Sequence, residues 1–162
     1  VRCGIGLYGI WPSAETEAAL RPRGVALAPA LAWRTRIVAL HTVEAGETVG
    51  YGRSWRAARS THIATLPIGY AEGIPRSAGE RAEALVRGRR VRLVGRVCMD
   101  MAFLDVSELP DVAVGDAVTL IGDDGAETIT ADELGAASGT IGYEIVARLP
   151  ANVPRSYVGS PP

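Results

Sequence analysis

Apolar and polar residues alternate along Trp33–Val43 (WRTRIVALHTV), the period of a β-strand with one buried face. THIATLPIGY from Thr61, VRLVGRVCM from Val91 and AFLDVS from Ala102 predict three further strands. The Gly95-Arg96 pair inside the second of these marks a bulge or a close backbone approach. DAVTLIG, DDG and AETIT predict a hairpin turning at Asp124-Gly125. A helical period enters late. Thr130-Ala-Asp-Glu133 is a capping box that opens a helix to about Ser138. Thr140 caps a second, with Ile141, Ile145 and Leu149 on one face before Pro150. The tail VPRSYVGSPP predicts a short strand that then frays. Many short strands, Gly and Pro turns and two small late helices predict a mainly β domain, a barrel or sandwich, over residues 25–162. The opening VRCGIGLYGIWPS reads as a buried strand, and SAETEAALRPRG as a short helix begun at Ser13. This pair, residues 1–24, does not fit the β pattern and looks like the end of another fold.

Composition narrows the classes. Apolar residues are 48% and charged residues 22% of the chain, as in soluble globular domains. Net charge is −1 and no block of like charge stands out, which argues against nucleic acid or an anionic membrane as partner. No apolar run suits a membrane span and no signal peptide pattern is present. Cys3 and Cys98 lie far apart without metal-ligand spacing, so they read as reduced thiols of a cytoplasmic protein. All 17 basic residues are arginine, so nothing in this chain can form a lysine Schiff base.

Candidate chemistry sits on glycine-rich segments. In AGETVGYGR, Tyr51 stands between Gly50 and Gly52, which suits either a turn or a phenol that must reach a ligand without bulk beside it. Gly4-Ile5-Gly6 can present backbone N–H groups to an anion such as phosphate, with Arg2 on the same strand face. PIGYAEGIPR puts Tyr70, Glu72 and Arg76 on one loop. In GRVCMD, Arg96 precedes Cys98 and Met99, which periodicity alone assigns to a strand core. His41 and His62 read as structural, and Asp105, Asp116, Asp123 and Asp124 as turn and edge residues. No metal site is indicated.

In order, VRCGIGLYG, AGETVGYG, IATLPIGYAEGIPR, VGRVCMDM, VGDAVTLIG, GTIGYEI and VPRSY span nearly the whole chain and resemble the carboxyl-terminal part of bacterial alanine racemase. The resemblance implies a pyridoxal-phosphate (β/α)₈ barrel followed by a β domain, in a head-to-tail homodimer of the cytoplasm. Such an enzyme interconverts L- and D-alanine and supplies D-alanine for cell-wall peptidoglycan. Residues 1–24 would then be the last strand and helix of the barrel. Arg2 resembles the arginine that hydrogen-bonds the pyridine nitrogen. Gly4 and Ile5 match the backbone pair that holds the cofactor phosphate, and Tyr143 resembles a further phosphate ligand. Tyr51 matches the catalytic tyrosine, acting across the dimer interface. Met99 matches the residue whose main-chain N–H holds the substrate carboxylate. Tyr70, Arg76 and Arg96 match residues of the access corridor, which Tyr143 also narrows. Glu72 and Met101 depart from the family pattern, where a shorter acid and often a glutamine stand.

The family's cofactor lysine would lie upstream, so the chain is expected to be about the last two fifths of the enzyme and inactive alone. A stand-alone β module for binding or assembly and the β domain of a related amino-acid decarboxylase are the competing readings.

Overall fold

The computed structural model describes residues 4–159. It contains ten short strands and three short α-helices, and every strand pairing is antiparallel. The predicted mainly β architecture with two late helices is what the chain adopts.

Helix α1 (Ala14–Leu20) comes first, N-capped by the Ser13 hydroxyl, which accepts from the Thr16 N–H. It buries none of its residues. The strand expected at the start of the chain is, over Ile5–Tyr8, a single 3-10 turn. Gly6 within it and Gly9 at its close favour a turn over a ladder.

The alternating run at Trp33–Val43 is not one strand but two. Strand β1 (Trp33–Arg36) pairs with β9 (Ala117–Asp124), whereas β2 (Ala39–Val43) pairs with β5 (Thr61–Leu66). Ile37, 1% exposed, sits at the break. One sheet runs β1-β9-β6-β7, with β6 at Glu83–Val86 and β7 at Arg89–Arg92, and β10 (Glu127–Ile129) also pairs with β9. The second sheet is β2-β5-β8, with β8 at Ala102–Asp105. A bridge between Leu93 and Leu104 joins the two. The β9–β10 hairpin turns at Gly125-Ala126, one residue later than predicted, because Asp124 pairs with Glu127. Gly125 has φ +63, the left-handed value that a two-residue hairpin turn requires.

The inward faces of both sheets close on one core that includes Leu66, Leu104, Leu120 and Ile145. A second, smaller cluster of Val43, Val49, Ala57, Ile63 and Val94 lies beneath a two-stranded ribbon, β3 (Thr48–Val49) with β4 (Trp55–Arg56). His41 and His62 are on β2 and β5 with their side chains exposed, and neither has a hydrogen-bond partner for its ring among the described residues.

Helix α2 (Ala131–Ser138) begins as predicted, with the Thr130 hydroxyl accepting from the Glu133 N–H. Helix α3 (Gly142–Ala147) is N-capped by Ile141 rather than Thr140. The Thr140 hydroxyl instead donates to the Glu144 carboxylate. Of the three apolar residues expected on one face, Ile145 is buried, Leu149 half-buried and Ile141 exposed. The helices cross where Gly135 and Gly142 leave no side chain; a Cβ at Gly135 would lie 2.8 Å from the Ile141 carbonyl carbon. Arg90 ties β7 to the neighbouring elements by pairing with Glu83, Glu127 and Glu133, which raises its already high pKa. The expected strand in the tail is absent: residues 153–159 form no ladder, and Tyr157 and Val158 are almost fully exposed. No helix among the described residues is long and apolar enough to cross a membrane.

Two outcomes follow from this packing. Leu104 is fully buried between the sheets. Leu104→Ala should cost about 3 kcal/mol of stability by loss of transfer energy and creation of a cavity, read as a shifted denaturant midpoint. Glu144 accepts from Thr140 and from Arg148, contacts that hold its carboxyl below the ordinary value of 4.5. A carboxyl depressed in the folded state contributes stability above its unfolded pKa and loses it as pH falls through the folded value. Glu144→Gln should therefore lower the melting temperature at neutral pH, and the gap to the parent should close as pH drops below 4.5.

Candidate functional site

Tyr51 sits in the five-residue connection between β3 and β4, opposite the Val49–Trp55 pair that closes the ribbon. Its ring is 70% exposed and packs into no core. Both flanking glycines adopt left-handed backbone, φ +77 at Gly50 and +73 at Gly52. Both also lie against Arg96. A Cβ on Gly50 would sit 3.3 Å from the Arg96 main-chain nitrogen, and one on Gly52 would sit 2.9 Å from Arg96 Nη1. The tyrosine is thus bracketed by glycines for two reasons: the turn needs positive φ, and the Arg96 segment of this same chain presses on it.

Gly95 completes the contact. It has φ +66, and a Cβ there would fall 2.8 Å from the Val49 carbonyl oxygen. Of the two readings of Gly95-Arg96, close approach is the correct one. Residues 94–101 are also not a continuous strand. Val94 donates to the Phe103 carbonyl and Cys98 donates to that of Met101, so the chain folds into a loop that returns to β8. Cys98 is buried, but Met99 is 54% exposed, against the expectation that both would be strand core. Among the described residues no acceptor takes the Met99 N–H.

The Tyr70 loop docks on that same turn. Tyr70 and Ala71 donate their N–H groups to the carbonyls of Cys98 and Met99, each at 3.0 Å. Gly69 lies so close to those two carbonyls that any Cβ there would overlap them. Glu72 closes the loop by accepting from the Gly69 N–H at 2.7 Å, so the longer acid has a definite intrachain role. Arg76 follows in a 3-10 turn pinned by the Ser77 hydroxyl, which donates to the Ser138 carbonyl at 2.7 Å.

These contacts bring five of the predicted residues together. Tyr51, Tyr70, Arg76, Arg96 and Met99 line one recess of about 260 Å³, with Val97 and Cys98. Tyr143 is on the first turn of α3, half-exposed and outside that recess. Gly4 and Ile5 open the N-terminal 3-10 turn, with Ile5 buried and Gly4 exposed. Among the described residues, no atom lies within 4 Å of a Cβ built on Gly4 or Gly6, so none of them covers the backbone there. Arg2 lies outside the described residues, as does Cys3. Met101 is partly exposed, and its carbonyl rather than its side chain shapes the turn. The Asp residues read as turn and edge groups act as such: Asp105 accepts from Ser107, Asp116 pairs with Arg87, and the Thr128 hydroxyl and Gly88 N–H donate to Asp123 and Asp124.

Sequence reasoning passed over Val97 and Cys98 as lining residues, because a strand reading turns alternate side chains inward. The signal was Gly95, whose positive φ ends the ladder just before them.

Residues 30–157 match the family model described as "Alanine racemase, C-terminal domain". The alanine racemase of Leptospira interrogans is 42% identical over 161 residues, which cover 98% of this chain and 41% of that protein. That of Desulfosudis oleivorans is 46% identical over 157 residues, covering 97% of this chain and 39% of its own. The chain therefore spans about two fifths of the length of the curated relatives it matches. Among solved structures, the alanine racemase of E. faecalis superposes with a TM-score of 0.88 at 35% identity, over 98% of this chain and 41% of that one. The enzyme from the D-cycloserine producer Streptomyces lavendulae gives 0.87 at 39% identity, over 99% and 41%.

The Gly69 contact gives a direct test of how the recess is held. Gly69→Ala must push the Tyr70 loop off the Cys98–Met99 backbone, because both opposing atoms are carbonyls with no freedom to swing aside. The expected result is a lower melting temperature together with faster amide exchange at Tyr70 and Ala71. A variant with parental values at both would show that the loop is not seated by this contact.

Proposed function

Because the chain belongs to the alanine racemase family, matching its C-terminal domain over residues 30–157, we propose that it forms one wall of an active site that interconverts L- and D-alanine. The observation that carries this reading is the recess itself: it gathers an outward-facing phenol, a main-chain N–H without an acceptor and two guanidinium groups. A stand-alone β module for binding or assembly has no need of that combination.

Racemisation requires a proton to leave Cα on one face and return on the other. Tyr51 is the acid-base group for one face. Arg76 and Arg96 line the recess with it. The Met99 N–H holds the substrate carboxylate and so fixes the direction in which Cα presents its hydrogen. Tyr70 narrows the approach.

Pyridoxal phosphate, when bound, supplies the conjugated system that accommodates the electron pair left at Cα. Residues of this chain suit it. Gly4 and Ile5 would offer phosphate a backbone anchored by the buried Ile5 side chain, and Tyr143 would be a further ligand. Arg2 would donate to the pyridine nitrogen. The sequence contains no lysine, so the amine that anchors the cofactor aldehyde comes from another polypeptide segment. On this reading Tyr51 and Met99 face the cofactor of a second subunit in a homodimer. Residues 1–24 then belong with a barrel domain and 25–162 form the β domain, an assignment supported by the unburied α1 and by a family match that begins at residue 30. The enzyme acts in the cytoplasm, supplying D-alanine for peptidoglycan.

The test joins this chain to the barrel domain of a family member, in place of that protein's own C-terminal part. The joined protein should racemise alanine, and Tyr51→Phe should lower kcat by about 10²–10⁴, the usual worth of one acid-base group. Full activity in Tyr51→Phe would end the proposal. The chain by itself, treated with pyridoxal phosphate and borohydride and then freed of unbound cofactor, should carry no pyridoxyl group on any side chain, read by mass spectrometry of its peptides.

A further inference from the structure

The connection that carries Tyr51 is held along its first half by the Arg96 segment, which meets Gly50 and Gly52. Its far end has a separate holder. The Ser54 hydroxyl donates to Glu80 Oε1 at 2.8 Å, across 26 positions of sequence. Among the described residues, neither side chain has another hydrogen-bond partner.

Glu80 stands on a turn rooted in the core. Ala78 and Ala82 on either side of it are buried, and the Ala78 carbonyl accepts from the N–H groups of Arg81 and Ala82 at 3.1 and 2.9 Å. Gly79 lies on the same irregular segment that Gly50 meets. A Cβ on Gly79 would fall 2.6 Å from the Gly95 carbonyl oxygen and 3.2 Å from Arg96 Cα. The turn is therefore fixed against the backbone around which the recess is arranged, and Glu80 reaches from it to the Tyr51 connection. Both chains are strained where they meet. Glu80 has φ +66 and Arg53, beside Ser54, has φ +50, uncommon values for residues with side chains. Tyr51 supplies no hold of its own, since its ring is 70% exposed and a glycine stands on each side of it.

We propose that Glu80 is a positioning residue for Tyr51, acting through the Ser54 hydroxyl to fix the direction in which the phenol points. An acid-base group works only within about 3 Å of the proton it exchanges. A connection held at one end lets the phenol wander out of that reach, and a small misplacement of a reacting group slows the step. The consequence for catalysis rests on the racemase reading; the bracing of the loop does not.

Glu80→Gly separates position from stability. It removes the carboxylate but suits the left-handed backbone, so the melting temperature should not fall. In the ¹⁵N-labelled chain, order parameters at residues 51–54 should drop from about 0.85 to below about 0.6. Ser54→Ala should do the same, and the double variant should add nothing further. Glu80→Gln keeps an oxygen acceptor and should retain the parental values. Parental order parameters in Glu80→Gly and Ser54→Ala, or an equal loss in Glu80→Gln, would overturn the bracing. In the joined enzyme, Glu80→Gly should lower kcat about fivefold, the scale of one net hydrogen bond, with KM for alanine unchanged, and Glu80→Gln should restore it. With alanine deuterated at Cα, the isotope effect on kcat should grow for one enantiomer and not for the other, because only the face that Tyr51 serves is slowed. An unchanged kcat, or isotope effects that rise equally for both enantiomers, would refute the positioning role. Full activity in Tyr51→Phe would instead remove the racemase reading and leave the order parameters as evidence for the brace.

Discussion

Two stretches of backbone, Val49–Gly50 and Gly95–Arg96, lie against each other with no side chain between them, and the site is arranged around that contact. Gly95 approaches the Val49 carbonyl, and Gly50 approaches the Arg96 nitrogen. The small apolar cluster that contains Val49 and Val94 secures the two stretches from below. Above it, the chain has nowhere to go but outward, so Tyr51 is carried into solvent on a short turn. Arg96 is seated over Gly52 by the same contact. The phenol and the guanidinium are neighbours because of backbone packing, not because they attract each other.

A second glycine contact extends the arrangement. Gly69 brings the Tyr70 loop onto the Cys98–Met99 carbonyls, and the two N–H groups donated there use those carbonyls up. What remains of that turn is the Met99 N–H, which has no acceptor among the described residues. Helices α2 and α3 hold the outer edge: Ser138 accepts from Ser77, and the Arg148 main chain lies against Gly73. The recess is therefore a product of three loops converging on one irregular segment between β7 and β8. The sheets supply rigidity, and the irregular segment carries the candidate residues, as is common where function is carried on a stable scaffold.

Much of this was legible in the order of residues. The strands with clear alternation, the capped α2 and the late β hairpin could be read directly, since each depends on local pattern and local turn chemistry. The errors share a cause. Trp33–Val43 reads as one strand, yet its alternation lapses over the apolar run Ile37–Leu40 and the chain divides there between two sheets; which sheet a strand joins is decided by distant partners. Leu93–Met101 looks like strand, yet the contact of Gly95 with Val49 diverts it; a β period carries no information about a clash with a residue so far back along the chain. The tail lacks the ladder partner that would have made it a strand. Among site residues, family motifs located Tyr51, Tyr70, Arg76, Arg96 and Met99, and these do share one cavity.

The glycine contacts bear on how such a site can change over evolutionary time. Pocket walls usually evolve by swapping side chains while the main chain drifts to fit. Here the main chain is already at closest approach in several places, so drift is blocked and only the outward side chains remain free to vary. Lineages carrying this geometry would explore new specificities through the identity of the residues at the rim, over a frame that stays constant. Library design for altered substrate scope would do well to randomise Tyr70 and Val97 and to leave the four neighbouring glycines, at 50, 52, 69 and 95, untouched.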